Sequence, residues 1–215
     1  MKKYDFVAFD LDGTLTDPEA GLTSGFAYAL DKMGIAYENK SELRRFIGPP
    51  LKAEFMAAYG FSESEAEECI RLFREYFSVY GWWDNRLYDG IPEMLDALKK
   101  RGKKIVLATS KPEVFAKKIV SLFDIEKYFD FVGGATLDHS RVEKDAVLSY
   151  ALDSVSADRG SSILVGDRCF DAEGARACGI DSLGVFYGHG ERDEILSSGF
   201  TYTADSPEDI AKILV

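Results

Sequence analysis

Cysteine and histidine are scarce in this 215-residue chain, with three of the first and two of the second. Cys69, Cys169 and Cys178 are odd in number and lack C-x-x-C spacing, which argues against a disulfide framework and a cysteine zinc site and leaves reduced thiols as the expectation. With His139 and His189 as the only imidazoles and no G-x-S-x-G stretch, a Ser-His-Asp or Cys-His hydrolase has few candidate bases. There is no Walker A or G-x-G-x-x-G loop, which disfavours the common nucleotide-binding readings. Long apolar runs are missing too. None nears the roughly 20 residues that span a bilayer, and the short apolar stretch before Asp10 does not suffice for a signal peptide. Positive charge is in the minority, 26 basic against 37 acidic residues for a formal net charge of −11. Such a surface repels phosphate backbones and anionic lipid, so no nucleic-acid or membrane partner is expected, and a small anion would need a locally positive pocket. A soluble, cytoplasmic protein is the expectation.

What is present suits one domain carrying an insertion. Five short, nearly continuous apolar segments, Asp5 to Phe9, Lys103 to Ala108, Tyr128 to Val132, Ser162 to Val165 and Asp181 to Phe186, have the pattern of strands buried on both faces. Helical patterns lie between the later ones, at Pro92 to Lys100, Pro112 to Phe123, Lys144 to Ser154 and Asp171 to Ala177. This alternation predicts an α/β fold with a doubly wound parallel sheet. One connection breaks the rhythm. Residues 16–84 read as helix after helix, with Asp17-Pro18 as an N-cap and N1 proline. Ser62-Glu63-Ser64-Glu65 reads as a capping box ahead of Ile70, Phe73 and Phe77 at helical spacing. The expected organisation is a core of residues 1–15 and 85–215 with a small all-α domain, 16–84, inserted after the first strand. Its expected place is the carboxyl edge, where open α/β sheets bind ligands. The basic run Lys99-Lys100-Arg101 with Lys103-Lys104 is read as dipole compensation at a helix C-terminus, since it precedes a strand.

Residues with chemical potential collect where the strands end. Asp10 closes the first strand, and in extended backbone Asp12 points to the same side. Two carboxylates so close need a cation or a shared proton, and Gly13 permits a sharp exit from the strand. After a second buried strand comes Gly166-Asp167-Arg168-Cys169-Phe170-Asp171. In a parallel sheet this turn shares the edge with Asp10 and Asp12, bringing up to four carboxylates together, a hard oxygen set that suits magnesium. Asp171 reads equally as a helix N-cap. Thr109 and Ser110 end a third strand at a helix N-terminus, a place that favours a phosphate, with Ser110 also readable as a cap.

In order and spacing these parts resemble the haloacid dehalogenase superfamily over the whole chain. Asp10-Leu11-Asp12-Gly13-Thr14-Leu15 is similar to its first motif, Thr109 to its second, Gly166-Asp167 with Asp171 to its fourth, and residues 16–84 to its helical cap on a Rossmann-like core. Lys144 is the best match to the third-motif lysine, although relatives commonly have Lys-Pro where this chain has Lys-Asp. A cation at a helix start opposes the dipole and wants a reason. Thr109-Ser110-Lys111-Pro112, Gly166-Asp167-Arg168 and Tyr187-Gly188-His189-Gly190 resemble the phosphoglycolate phosphatase-like branch. The resemblance implies hydrolysis of a small phosphorylated metabolite by a monomer or homodimer. Asp10 is implied as the nucleophile that becomes an aspartyl-phosphate, and Asp12 as the acid for the leaving oxygen and the base for the hydrolytic water. Magnesium is implied at Asp10, Asp12 through its backbone carbonyl, Asp167 and Asp171, with Thr109, Ser110 and Lys144 binding phosphate. A phosphomutase of the β-phosphoglucomutase type, a nucleotidase or a pyrophosphatase could use the same core. A phosphoacceptor signalling domain would need neither Asp12 nor the helical insertion.

Within the cap, Lys40, Arg44, Arg45 and Lys52 face only Glu42 as a sequence neighbour. Arg45 and Lys52 are the candidates for meeting a second anionic group on the substrate, and a solvated helix face is the competing account. Phe46-Ile47-Gly48-Pro49-Pro50 reads as a turn that could project over the site. Cys169 is read as buried filler and Trp82-Trp83 as burying surface at the hinge. His189 is within reach of the site edge but is given no role.

Overall fold

The computed structural model describes residues 3–48, 50–138 and 140–215; Pro49 of the expected cap turn and His139 lie outside the described residues. In chain order the elements are β1 (Phe6–Phe9), β2 (Thr16–Asp17), α1 (Glu19–Met33), α2 (Leu51–Tyr59), α3 (Glu63–Tyr76), β3 (Arg86–Leu87), α4 (Ile91–Lys100), β4 (Lys104–Pro112), α5 (Glu113–Leu122), β5 (Phe131–Ala135), α6 (Lys144–Ser154), β6 (Ser162–Gly166), α7 (Cys169–Ala177), β7 (Asp181–Val185), α8 (Arg192–Ser197), β8 (Tyr202–Ala204) and α9 (Pro207–Leu214). The chain divides into two compact units, Met1–Asp17 with Leu87–Val215 and Pro18–Arg86. No helix among the described residues is long and apolar enough to cross a membrane.

The first unit is built on a parallel sheet of order β5-β4-β1-β6-β7-β8. Val7 lies opposite Ile105 and Ile163, and Phe9 opposite Leu107 and Val165. Because strands covered on both faces bury every side chain, these runs are apolar without alternation. On one face Ala8, Val106, Ala108 and Leu164 pack with Val147, Leu148, Ala151 and Leu152 of α6 and Ala175 of α7. Each larger aliphatic side chain buried there contributes about 1.5–3 kcal/mol. The chain order reverses around β1, with β4 on one side and β6 on the other, and such a switch point is where open α/β sheets present a ligand crevice. The carboxyl ends of β1, β4 and β6 thus lie side by side.

Several boundaries differ from the sequence expectation, among them the helical unit, which spans Pro18–Arg86 rather than 16–84. The strand expected at Tyr128 to Val132 lies at Phe131–Ala135, and Glu126–Tyr128 form a 3-10 turn. Gly133 and Gly134 belong to this strand because a Cβ at 134 would press within 2.7 Å of the Glu113 backbone and one at 133 within 3.2 Å of Ala151. Thr16 and Asp17, expected to begin the insertion, form β2 in the sheet-bearing unit, and Asp17 does not cap α1. β8 completes the sheet from Tyr202–Ala204, a strand too short to register as a pattern. The basic run is structural: Lys99 and Lys104 pair with Asp130 at 2.8 and 3.1 Å, Lys100 with Asp96 at 2.6 Å, and the buried Lys103 donates to the Tyr4 carbonyl at 2.6 Å.

The helical unit has an aromatic core. Phe26 of α1 meets Phe46, Phe55 and Phe73 with ring centroids 5.7, 6.0 and 4.8 Å away, offset and edge-to-face geometries that add to area burial. Ser62 and Glu65 form the expected capping box at the start of α3. The expected burial at the tryptophan pair is not found at Trp83, which stays 52% exposed.

Candidate active site

Asp10 follows β1 directly and is buried, its backbone N–H bonded to the Val165 carbonyl of β6 at 2.9 Å. Asp167 and Asp171, also buried, arrive from the turn after β6 and from the first turn of α7. Carboxylate oxygens of these three residues lie within 4.8 Å of one another. Lys144, the first residue of α6, reaches across the edge: its Nζ donates to Asp10 Oδ1 at 2.6 Å, lies 2.8 Å from Asp171 Oδ1 and 3.3 Å from the Ala108 carbonyl. That contact supplies the reason for a cation at a helix start. Burial alone would depress the ammonium, but Asp10 and Asp171 outweigh it and hold its pKa above the ordinary lysine value.

Three buried carboxylates against one ammonium leave a net negative cluster. Burial first, then Asp171 and Asp10, push the Asp167 carboxyl up to about 8, with the His189 backbone N–H opposing. Burial also raises Asp171, against Lys144. Hard oxygen donors gathered in a desolvated place, with no sulfur or imidazole among them, fit a hard divalent cation such as magnesium.

Asp12 is sorted out of this set. The expectation of four carboxylates together holds for three, because the backbone curls after Asp10: the N–H groups of Thr14, Leu15 and Thr16 all turn to the Leu11 carbonyl, at 3.3, 2.9 and 3.0 Å. The i, i+2 rule of extended chain therefore does not apply across Leu11. The Asp12 side chain pairs instead with Lys111, Nζ to Oδ2 at 2.5 Å. Lys111 was not singled out from the sequence, although its spacing from Thr109 on the same strand was a signal.

Thr109 ends the buried part of β4 and accepts the Lys111 N–H at 3.2 Å. Ser110, expected beside it as a phosphate ligand or cap, is exposed and precedes α5 by three residues, so it is not the N-cap. Asp171 is likewise not the N-cap of α7, which begins at Cys169; Asp171 reaches back so that Oδ2 accepts the N–H groups of Asp167 and Arg168 at 3.1 and 3.0 Å, while Oδ1 faces Lys144. Asp171 thus serves the capping box from the N3 position with one oxygen while the other faces the lysine. Cys169, expected as buried filler, is only half-buried; burial and Glu194 raise its thiol, and Glu194 Oε1 accepts the Cys169 N–H at 2.8 Å.

The loop after β7 holds the cluster in place. His189 donates its backbone N–H to Asp167 Oδ2 at 2.8 Å, Thr14 Oγ1 donates to Asp167 Oδ1 at 3.3 Å, and Tyr187 Oη donates to the Thr14 carbonyl at 2.9 Å. Gly188 sits so close that a Cβ there would collide with the Gly13 carbonyl and the Asp167 side chain. Gly188→Ala is accordingly expected to cost about 1–3 kcal/mol through overpacking against backbone, read as a lowered thermal midpoint; a midpoint equal to that of the parent would show that this loop yields.

The two cap candidates are already partnered within the helical unit. Lys52 Nζ lies 3.1 and 2.8 Å from Glu63 and Glu67 of α3. The Arg45 guanidinium lies 3.6 Å from Glu42 and over the rings of Phe46 and Tyr59. Arg44 pairs with Glu19 of α1 at 3.0 Å. The positive island read from neighbouring residues is offset by carboxylates that folding brings in.

A doubly wound sheet whose strand ends gather paired lysines and buried aspartates suits phosphate-transferring chemistry. The chain belongs to the haloacid dehalogenase-like hydrolase family, whose model matches residues 7–185. It is 42% identical over 204 residues to a 5'-nucleotidase of Pseudomonas aeruginosa, covering 94% of this chain and 92% of that protein. It is 41% identical over 189 residues to tyrosine-protein kinase PtkA of Mycobacterium tuberculosis, spanning 64% of that protein's length and 88% of its own. Among solved structures, a candidate phosphatase from Clostridium difficile is 44% identical, with a TM-score of 0.93 over the whole of both chains. The protein is a phosphatase of this family.

Proposed function

We propose that the protein is a magnesium-dependent phosphatase that hydrolyses a nucleoside 5'-monophosphate through an aspartyl-phosphate on Asp10. The observation that carries the chemistry is Lys144 bridging Asp10 and Asp171 at the buried strand ends. In the first half, an Asp10 oxygen attacks phosphorus, the ester P–O bond breaks, and the leaving oxygen takes a proton from Asp12. In the second, water attacks phosphorus, Asp12 takes its proton, and the Asp10–phosphorus bond breaks to release phosphate. Asp10, Asp167 and Asp171 would hold magnesium, which supplies positive charge against the nucleophile and a phosphoryl oxygen. Lys144 and Thr109 are read as holding the remaining phosphoryl oxygens, where charge redistributes in transfer.

The helical unit is read as selecting the leaving group. Phosphoglycolate carries a second anion and needs a second cation, and Arg45 and Lys52 each have a carboxylate partner already. A nucleoside is a leaving group without that demand, and the 42% identity to a 5'-nucleotidase supports it. The test is phosphate release with magnesium across nucleoside 5'-monophosphates, phosphoglycolate, sugar phosphates, phosphotyrosine and pyrophosphate. Highest kcat/KM on a nucleotide is expected. Preference for phosphoglycolate would overturn the substrate reading, a phosphorylated sugar isomer as product would indicate a mutase, and no release from any ester would overturn the phosphatase reading.

Magnesium should also show in stability. Asp167, raised from about 4 to about 8, contributes stability below its unfolded value that is lost as pH climbs through the folded value. A cation that pairs with the ionised cluster offsets that loss, and must displace the Asp167 proton at lower pH. The expected outcome is a magnesium-induced rise in thermal midpoint that is larger at pH 8.5 than at pH 5.5. An equal rise at both would separate the metal from these carboxylates.

A further inference from the structure

We infer that Lys111 is a positioning residue for the acid step, holding Asp12 through Oδ2 so that Oδ1 is the oxygen that hands its proton to the leaving alcohol. This rests on the phosphatase reading above. The Lys111 side chain is 5% exposed, and its Nζ contacts Asp12 Oδ2 at 2.5 Å. Asp12 Oδ1 is buried and makes no hydrogen bond among the described residues. One oxygen of the carboxyl group is therefore engaged, and the other is left for chemistry.

The backbone sets this up. β4 continues beyond Thr109, and its register against β5 shifts between Thr109 and Pro112, an irregularity of the kind that re-aims side chains beside active sites. Ser110 is turned outward and Lys111 inward. The Lys111 carbonyl is pressed against Gly134, where a Cβ would come within 2.7 Å, and the Lys111 N–H is tied to Thr109 Oγ1 at 3.2 Å. The lysine is thus aimed by main-chain contacts rather than by its own flexible stem. Burying an ammonium is costly unless it is paired, and the Asp10 cluster already has Lys144. Without Lys111 the Asp12 carboxyl would be free to rotate away from the leaving oxygen.

The experiment compares kcat/KM, which counts only events up to ester cleavage, on two substrates of the full chain with magnesium. One is 4-nitrophenyl phosphate, whose leaving group departs without a proton; the other is adenosine 5'-monophosphate, whose alkoxide needs one. Misplacing a catalytic group by about 1 Å costs on the order of 100-fold. Lys111→Met is expected to lose about 100-fold on the nucleotide and at least about tenfold less than that on the nitrophenyl ester, with Lys111→Arg recovering part of the nucleotide rate. Retained turnover of the nitrophenyl ester reports a folded variant, and Lys111→Gln takes its place if Lys111→Met does not fold. Equal losses on both esters would assign Lys111 to phosphate contact or folding and overturn the inference, as would no loss on either. A parent protein that releases phosphate from neither ester would overturn the phosphatase reading itself.

Discussion

Asp10→Asn is expected to lower phosphate release at least about a thousandfold, because an amide oxygen is too poor a nucleophile to form the phosphoryl-enzyme. The substitution keeps size and shape, and the amide oxygen can still accept from Lys144, which now donates to Asp10 Oδ1 at 2.6 Å. It also removes one buried negative charge from beside Asp167 and Asp171, whose carboxyls are raised partly by Asp10. Activity should therefore fall while the thermal midpoint of the metal-free protein holds or rises. That opposition separates a lost nucleophile from a damaged fold. Phosphate release at a tenth of the parent rate would remove Asp10 from the nucleophile's role.

Lys144→Met is expected to be damaging in both respects. Removing one partner of a buried ion pair costs about 3–5 kcal/mol when the other is left unpaired, and here two carboxylates are left. Loss of a positive group at the transferring phosphoryl should lower kcat by about 100- to 1,000-fold. The pH dependence follows from sign. A lysine raised above its ordinary value contributes stability that is fully present below its unfolded pKa and lost only as pH rises through the folded one, so Lys144 itself is constant across neutrality. The freed carboxylates are not constant, since protonation relieves their repulsion. The deficit measured by denaturant unfolding should shrink as pH falls from 8 to 5, and a deficit independent of pH would mean that Lys144 acts through packing alone.

How much could be read beforehand differs from residue to residue. Asp10, Thr109 and Asp167 were legible because each follows a short apolar run, and in a parallel sheet all such ends share one edge. Lys144 was legible as a cation in a place that the helix dipole disfavours. Asp12 was read as part of the acidic set because extended geometry was carried past Asp10, whereas the Leu11 carbonyl gathers three following N–H groups and turns the chain. Lys111 was missed although it lies two residues beyond Thr109 on β4 and so faces the same side, because the strand was expected to end at Ala108. The strand was expected to stop at Val132, but it runs on through Gly133 and Gly134, where a Cβ would press on Ala151 of α6 and on Glu113 of α5.

Charge bookkeeping shows the same division. Counting neighbours along the chain left Arg44, Arg45 and Lys52 as an excess, but Glu19, Glu63 and Glu67 come from helices before and after. Composition and periodicity by themselves determined an α/β core with a helical insertion and the sheet edge at which the aspartates gather, because burial pattern and strand ends are local properties. Only the tertiary structure decided which carboxylate pairs with which lysine, which cations are already offset and which glycines must stay small. Those depend on distances of a few ångströms between residues far apart in the chain, such as Asp10 and Lys144, 134 residues apart, and no local pattern encodes them.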